Sequence, residues 1–300
     1  MQPKPKVIVI SGADAPYFAL AQDFFNSLGN HKYKYDFDLG LLDIGLIEEQ
    51  KDWFKAKNIR IEQVQSDIEY PAREVWEKLQ PSYRTLTARP FLRRYFPGYD
   101  VYVWIDADVW VQTPEAIDVM IEGAASSDAI HMAMEFDRSY KIFFDRPTMW
   151  NVYHEWYQAC YNDENVTVNM TLKPMLNAGV WSISKSSPVW DAWLKIYADA
   201  LQRIPQLNSK TIMTDQLALN LVAYMVKAPH VILPAAYNWL TFFAAPMLDK
   251  ETGLYVEPAP PYKPISMFHL TQKPKTQIEK IFSRDGTFVE RPLTYSARNG

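Results

Sequence analysis

Cys160 is the only cysteine in 300 residues, so no intramolecular disulfide can form and no cysteine-based zinc site can be built. A lone cysteine reads first as a small buried apolar side chain. No apolar run approaches the ~20 residues that a membrane helix requires. The run inside MQPKPKVIVI at the amino terminus is too short for a signal peptide. The expectation is a cytoplasmic protein, or one resting peripherally on the inner face of a membrane. The sequons at Asn165 and Asn169 then carry no glycan. The formal net charge is −4, too mild to argue for a nucleic-acid partner. Walker-type glycine loops, G-x-S-x-G elbows, H-E-x-x-H pairs, internal repeats and low-complexity blocks are also absent.

What is present describes a folded globular protein: 48% hydrophobic and 22% charged residues. Trp (10), Tyr (18) and Phe (15) are plentiful. They could line a sugar or nucleotide cleft, or simply fill a core. Val7-Ile8-Val9-Ile10 reads as a strand buried on both faces. Ser11-Gly12-Ala13-Asp14 then reads as a loop, and residues 16–28 as an amphipathic helix with Pro16 in its first turn. Further strands are expected at 35–44, 59–61, 101–105, 129–136, 177–184, near 231–233 and at 265–269. Helices are expected through Trp53-Phe54, over 82–95 with an interruption at Pro90, from Pro114 to Ile121, and at 187–203 and 215–227. Residues 138–170 read as an irregular, acceptor-facing insertion and the tail from Lys273 as aperiodic. Strands alternating with helices predict an α/β fold, a mostly parallel central sheet covered by helices on both faces.

The stretch VYVWIDADVWVQTP, residues 101–114, is the most informative. Asp106 and Asp108 sit between two segments that want to be buried. An unpaired buried carboxylate costs several kcal/mol, so the pair needs a cation, strong donors or solvent. The carboxyl end of a strand in an open α/β sheet is where ligands bind, and a hard divalent cation would neutralise both charges. At i, i+2 the two side chains share one side of an extended segment. The plain alternative is a solvated loop with two ordinary acids, and a bare D-x-D occurs often.

Other candidates are weaker one by one. His269 ends the run Ile265–His269 and could complete a metal site, although a lone histidine at a strand end is usually structural. Lys273 and Lys275 could meet a diphosphate as point charges, or belong to a solvated tail. Arg89 and Arg93, four apart, share a helix face and could clamp an anion, or lie on the surface beside Arg94. Asp215-Gln216 opens a helix, where an acid is also a natural cap. Asn177-Ala178-Gly179 could present an amide to a sugar hydroxyl or merely turn into a strand.

Taken in order, these pieces resemble something more specific. The strand-loop-helix opening, Arg89, Asp106-Ala107-Asp108, Asn177-Ala178-Gly179, Asp215-Gln216, Asn238-Trp239 and His269 follow one another as in GT-A-fold glycosyltransferases. The group most similar is family 8, which includes glycogenin and bacterial lipopolysaccharide galactosyl- and glucosyltransferases. The resemblance spans residues 5–275, and LNAGVWSIS with TDQLALN makes it more specific than D-x-D alone. It implies a single GT-A (Rossmann-like) domain over 1–300, with a nucleotide-binding part (1–125), an acceptor-side part (126–275) and a C-terminal tail (276–300).

The resemblance also implies roles. Asp106, Asp108 and His269 would hold Mn²⁺ or Mg²⁺ against a nucleotide-diphosphate sugar, a UDP-hexose in the family's usage. Ser11, Asp14 and Tyr17 lie where the family's first loop grips uracil and ribose. Arg89 matches a basic residue near the donor, Asn177 an amide facing the donor sugar, and Asp215 and Gln216 the pair beside the reacting carbon. Where the family's late motif is H-x-x-G-x-x-K-P-W, this chain reads HLTQKPK, with Gln272 for the glycine and no Trp after Pro274. Lys275 keeps the spacing from His269, whereas Lys273 keeps the Lys-Pro pairing. The implied activity is metal-dependent transfer of a hexose to the hydroxyl of a glycan, glycolipid or protein acceptor, with retention. A non-catalytic sugar- or nucleotide-binding protein on the same fold is the alternative. An Asp-metal phosphatase is more distant, because such enzymes need D-x-D-x-T and Trp110 stands two residues after Asp108.

Overall fold

The computed structural model of the protein describes residues 4–71, 73–79, 81–140, 149–203, 214–271 and 274–299. The chain opens with β1 (Val7–Ala13), α1 (Phe18–Leu28), β2 (Asp38–Asp43), α2 (Glu48–Ala56) and β3 (Arg60–Gln63). Then come α3 (Arg73–Leu79), α4 (Tyr83–Ala88) and α5 (Leu92–Tyr95). Pro90 lies in a 3-10 turn, Arg89–Phe91, between the last two, because proline lacks the N–H that would continue an α-helix. The middle of the chain forms β4 (Val101–Ile105), β5 (Val109–Val111), α6 (Glu115–Ser126), β6 (Ile130–Met134), α7 (Met149–Tyr161), α8 (Glu164–Thr171) and β7 (Leu176–Ser184). After it follow α9 (Val189–Arg203), α10 (Thr214–Tyr224), β8 (His230–Leu233), β9 (Trp239–Leu240), β10 (Met247–Leu248) and β11 (Tyr255–Val256). The chain closes with β12 (Met267–His269), β13 (Glu279–Phe282), β14 (Phe288–Arg291) and α11 (Tyr295–Asn299).

Seven strands make the central sheet, in the order β3-β2-β1-β4-β7-β6-β8. All neighbours run parallel except β7, which is antiparallel to both β4 and β6. This is the mostly parallel sheet expected from the alternation of elements. Its strands are apolar on both faces because helices cover both. Val7, Val9, Val101, Val103 and Ile105 pack with Phe24, Phe25 and Phe54 of α1 and α2 and with Ile117 and Ile121 of α6. Ile8, Ile10, Tyr102 and Trp104 turn the other way, onto Leu92, Trp190, Trp193, Tyr197 and Leu219. Successive side chains of a strand point to opposite faces, so the run VIVI feeds two cores at once.

The second apolar run of the Asp motif does not continue the central sheet. β5 belongs to a three-stranded sheet, β5-β12-β9, in which β12 is antiparallel to β5 and parallel to β9. Two expectations need correcting. Of residues 138–170, those from 149 onward are mostly helical, as α7 and α8, with Tyr153, Tyr157, Cys160 and Tyr161 buried against Leu217 and Leu221; residues 141–148 lie outside the described residues. The tail carries the β13–β14 hairpin and α11. Cys160 is buried as its solitary occurrence suggested, and burial pushes its thiol up to about 12.

Trp181 of β7 is fully buried among Trp104, Trp190 and Trp193. Trp181→Ala removes the ring that contacts the other three, and deleting a buried tryptophan costs about 3–5 kcal/mol. Urea denaturation followed by circular dichroism should read a loss of that size.

Candidate active site

Two strand registers assemble the site. β4 ends at Ile105, opposite Val180 of β7, and the next residue, Asp106, donates its backbone N–H to the Gly179 carbonyl at 2.8 Å. The chain then turns at once: Val109 N–H donates to the Asp106 carbonyl at 3.0 Å. Asp106-Ala107-Asp108 is therefore a tight turn and not the extended segment its spacing suggested. In the small sheet His269 lies opposite Val109, and Leu270 N–H donates to the Asp108 carbonyl at 2.9 Å. The result is that Asp106, Asp108 and His269 each offer a ligand atom, all within 4.8 Å of one another. His269 Nε2 is 3.3 Å from Asp108 Oδ1 and 3.9 Å from Asp106 Oδ2.

Gly179 has no freedom to be anything larger. A Cβ there would fall 2.8 Å from Asp106 Oδ2 and 2.9 Å from Asn177 Oδ1, and would collide with the His269 ring. Only a glycine lets β7 pass so close behind the three side chains.

Charge around the turn is arranged in pairs. Arg89 is buried; its Nη1 donates to Asp215 Oδ2 at 2.6 Å and its Nη2 to Asp106 Oδ1. The guanidinium lies over the Trp104 ring, 4.8 Å from its centroid, and Trp104 Nε1 donates to Asp106 Oδ1 at 2.7 Å. Burial pulls the Arg89 pKa down, but Asp106 and Asp215 outweigh it and leave it raised. For Asp106 burial wins and the carboxyl is raised despite Arg89 and His269. For Asp108 the balance goes the other way. Burial acts to raise it, yet His269 and Lys275 hold it well below the usual carboxylate range. Lys275 Nζ donates to Asp108 Oδ2 at 2.6 Å and to the Leu270 carbonyl.

Glu135, just past β6, escaped the sequence reading because no motif surrounds it. Its buried carboxylate accepts from Asn177 Nδ2 at 2.7 Å, Gln216 Nε2 at 2.9 Å and the Tyr153 hydroxyl at 3.4 Å. Burial raises its pKa against those donors. Asn177 Oδ1 in turn accepts from Gly179 N–H and from Asn238 Nδ2, both at 2.8 Å, and Asn238 Oδ1 faces His269 Nδ1 at 3.0 Å. The donor set suits a hard divalent cation: two carboxylates and one imidazole whose far nitrogen is held by an amide.

Two contiguous cavities meet at this cluster. One, of about 180 Å³, is lined by Asp14, Tyr17, Ile44, Thr85, Trp104 and the Asp turn. The other, of about 380 Å³, is lined by Glu135, Asn177, Asp215, Gln216, Phe243 and Lys275; Arg89, Asp106, Asp108 and His269 border both. Among the described residues the larger cavity carries four carboxylates (Asp106, Asp108, Glu135, Asp215) and two fixed cations (Arg89, Lys275).

Most residues singled out from the sequence converge here. Asp14 Oδ1 accepts from Tyr17 N–H at 3.0 Å, and Tyr17, 42% exposed, lines the smaller cavity. Burial, with Asp108 and Asp106 after it, pushes the Tyr17 phenol up to about 12. Asp215 sits in the first turn of α10, as a cap would, but its carboxylate is spent on Arg89. Ser11 is different: β1 continues through Ala13, so Ser11 is enclosed in the sheet and not in a loop. Arg93 and Arg94 also stand apart, paired with Asp191 and Asp67. Lys275 reaches the Asp turn; Lys273 lies outside the described residues.

No family model and no curated protein matches the sequence. Solved structures do match in shape. One is the galactosyltransferase LgtC in complex with donor and acceptor sugar analogs, at TM-score 0.54 and 16% identity over 88% of this chain and 87% of that one. The fold is that of the GT-A glycosyltransferases. The bifunctional glycosyltransferase WbbM matches at TM-score 0.56 and 16% identity, over 91% of this chain and 47% of its own. Mouse xyloside xylosyltransferase 1 matches at TM-score 0.53 and 13% identity, over 91% and 100%. Among the described residues no helix is long and apolar enough to cross a membrane.

Replacing Arg89 with Met keeps most of the stem but leaves Asp106 and Asp215 without their shared cation. Breaking a buried pair in this way costs about 3–5 kcal/mol near neutral pH. Asp106, already raised by burial, then also loses the lowering influence of Arg89, so the variant takes up a proton on folding and its deficit shrinks as the pH falls. Denaturation of Arg89→Met and the parent at neutral and mildly acidic pH should show both effects.

Proposed function

We propose that this chain is a metal-dependent glycosyltransferase of the family 8 kind, moving a hexose from a UDP-sugar to the hydroxyl of a glycan, glycolipid or protein acceptor with retention. The observation that carries the reading is the convergence of Asp106, Asp108 and His269 where two cavities meet, on a fold shared with glycosyltransferases. A cavity already rich in carboxylates repels a diphosphate unless a cation accompanies it, and Mn²⁺ or Mg²⁺ held by these residues would neutralise charge building on the leaving diphosphate.

The protein's own groups then have separate tasks. In the smaller cavity Tyr17 offers a ring for a base to stack on, and Asp14 acceptor oxygens for a ribose. Lys275, on Asp108 Oδ2, is within reach of a diphosphate lying against the Asp turn and supplies a fixed positive charge there. Across the larger cavity Asp215, Gln216 and Asn177 border the space for the hexose. Arg89 neutralises Asp215 and so keeps it from acting as a strong nucleophile, which suits a front-face reaction in which the leaving phosphate oxygen takes the acceptor proton. The aromatic side chains of Tyr153, Trp156 and Phe243 also line this cavity and would offer apolar faces to an acceptor. The phosphatase alternative loses ground at Trp110. That residue is fully buried on Phe268, with ring centroids 4.6 Å apart, and gives its Nε1–H to the Leu293 carbonyl, so it leaves no hydroxyl at that position.

Asp108→Ala tests the assignment. Losing a group that merely hydrogen-bonds to a metal ligand lowers metal-site activity by about 10–100-fold, so loss of a direct ligand should lower Mn²⁺-dependent UDP-sugar hydrolysis by at least about a hundredfold. Undiminished metal-dependent turnover would sink the assignment. Binding of UDP and Mn²⁺ by calorimetry, with no turnover of UDP-, GDP- or dTDP-sugars, would favour a non-catalytic binder instead.

A further inference from the structure

His269 can serve a metal only through a nitrogen that carries a lone pair, and the ring nitrogen facing the two aspartates is Nε2. A neutral imidazole left to itself favours the proton on Nε2, which is the wrong tautomer for this site. Which nitrogen keeps the proton is set by the hydrogen bond that the other one makes. The partner of Nδ1 is Asn238 Oδ1, at 3.0 Å, closer than Asp108 Oδ1, which lies 3.3 Å from Nε2 and competes for the proton, so the orientation of one buried amide weighs directly on the question.

That orientation is forced from further away. A carboxylate only accepts and a peptide N–H only donates. Asn177 is wedged between one of each: its Nδ2 meets Glu135 Oε1 at 2.7 Å and its Oδ1 meets Gly179 N–H at 2.8 Å. Flipping it would set acceptor against acceptor and donor against donor. Gln216 is wedged in the same way, between Glu135 Oε1 at 2.9 Å and Ala178 N–H at 2.9 Å. With Asn177 Oδ1 fixed as an acceptor, Asn238 must turn its Nδ2 to it, at 2.8 Å, and its Oδ1 to His269. Asn238, Asn177, Glu135 and His269 are all buried, so little water competes for these bonds.

We infer that Asn238 is a positioning residue for the metal ligand: the relay Glu135–Asn177–Asn238 holds His269 with its proton on Nδ1 and its lone pair on Nε2. The inference rests on the metal-site reading above. It adds a role for Asn238 and Glu135 that requires neither to touch the metal. A polar chain of this kind acts as a unit, because each member is oriented by the one before it.

The test is the histidine region of a long-range ¹H–¹⁵N correlation spectrum of the metal-free protein, recorded at alkaline pH where imidazoles are neutral. The His269 signal is identified among five histidines by its loss in His269→Gln. The expected pattern is Nδ1 protonated and Nε2 bare. Asn238→Leu, which keeps the volume but offers no acceptor, should move the proton to Nε2 and weaken Mn²⁺ binding by about 10–100-fold in calorimetry. Asn238→Asp keeps an oxygen before Nδ1 and should retain the tautomer, but it sets acceptor against acceptor at Asn177 Oδ1 and so should lower the stability of the fold. A parent spectrum with the proton on Nε2 overturns the inference even if Asn238→Leu does not fold. So does a folded Asn238→Leu that retains the parent tautomer and affinity. Because these readouts need no donor sugar, a failed glycosyltransferase assay with the Nδ1–H tautomer intact would count against the activity and not against the relay.

Discussion

Arg89 brings one positive charge into a space it shares with Asp106 and Asp215, and its guanidinium donates to both. A buried guanidinium is costly by itself, and so is each buried carboxylate; together they are tolerable because every charge has a geometrically defined partner. The rest of the site depends on this arrangement. Asp106 closes the central strand β4, Asp215 opens α10, and Arg89 lies in the 3-10 turn at Pro90. One side chain thus ties three elements that are distant in sequence, and it fixes how far the D-x-D turn lies from the Asp215-Gln216 pair.

The second constraint is the small sheet. β5 follows the Asp turn so closely that it cannot remain in the central sheet, and its pairing with β12 carries His269 to the residue after Asp108. Trp110 and Phe268, stacked at 4.6 Å, lock that register, since a one-residue slip of either strand would send its ring to the face opposite the other. The three ligand atoms therefore converge through backbone pairing and not through long flexible side chains, which is the kind of support a metal site needs.

The elements with strong periodicity were legible in the sequence. Val7–Ile10 and Val101–Ile105 are buried on both faces as their unbroken apolar runs implied, and Pro90 interrupts its helix as proline must. The convergence of Asp106, Asp108 and His269 could be posed from residue types and motif order, but their separation rests on two strand registers that no local pattern encodes. Glu135 was invisible for a related reason: its partners Tyr153, Asn177 and Gln216 stand 18, 42 and 81 residues away. α7 was misread because its buried face is built from Tyr153, Tyr157 and Tyr161, at helical spacing but amphipathic, so the stretch looked polar and irregular. Ser11 was misplaced because β1 keeps pairing with β2 as far as Ala13 opposite Asp43, further than the apolar run alone extends.

The atoms of the D-x-D turn divide their labour in a way that bears on what the site can bind. Asp106 gives Oδ1 to Arg89 and Trp104 and turns Oδ2 toward His269. Asp108 gives Oδ2 to Lys275 and turns Oδ1 toward His269. Each carboxylate thus has one oxygen anchored to a protein donor and one directed to a common point near Nε2. Two acids that merely needed solvation would not share this pattern, since either oxygen would serve. Anchoring also restrains the side-chain rotations that a loosely held carboxylate would lose on binding a cation, so part of the ordering cost is met in folding. With one oxygen of each committed, the pair can offer a cation one oxygen apiece while those anchors hold. A hard cation held there would draw its remaining ligands from outside the protein, since such ions take more oxygens than these side chains offer.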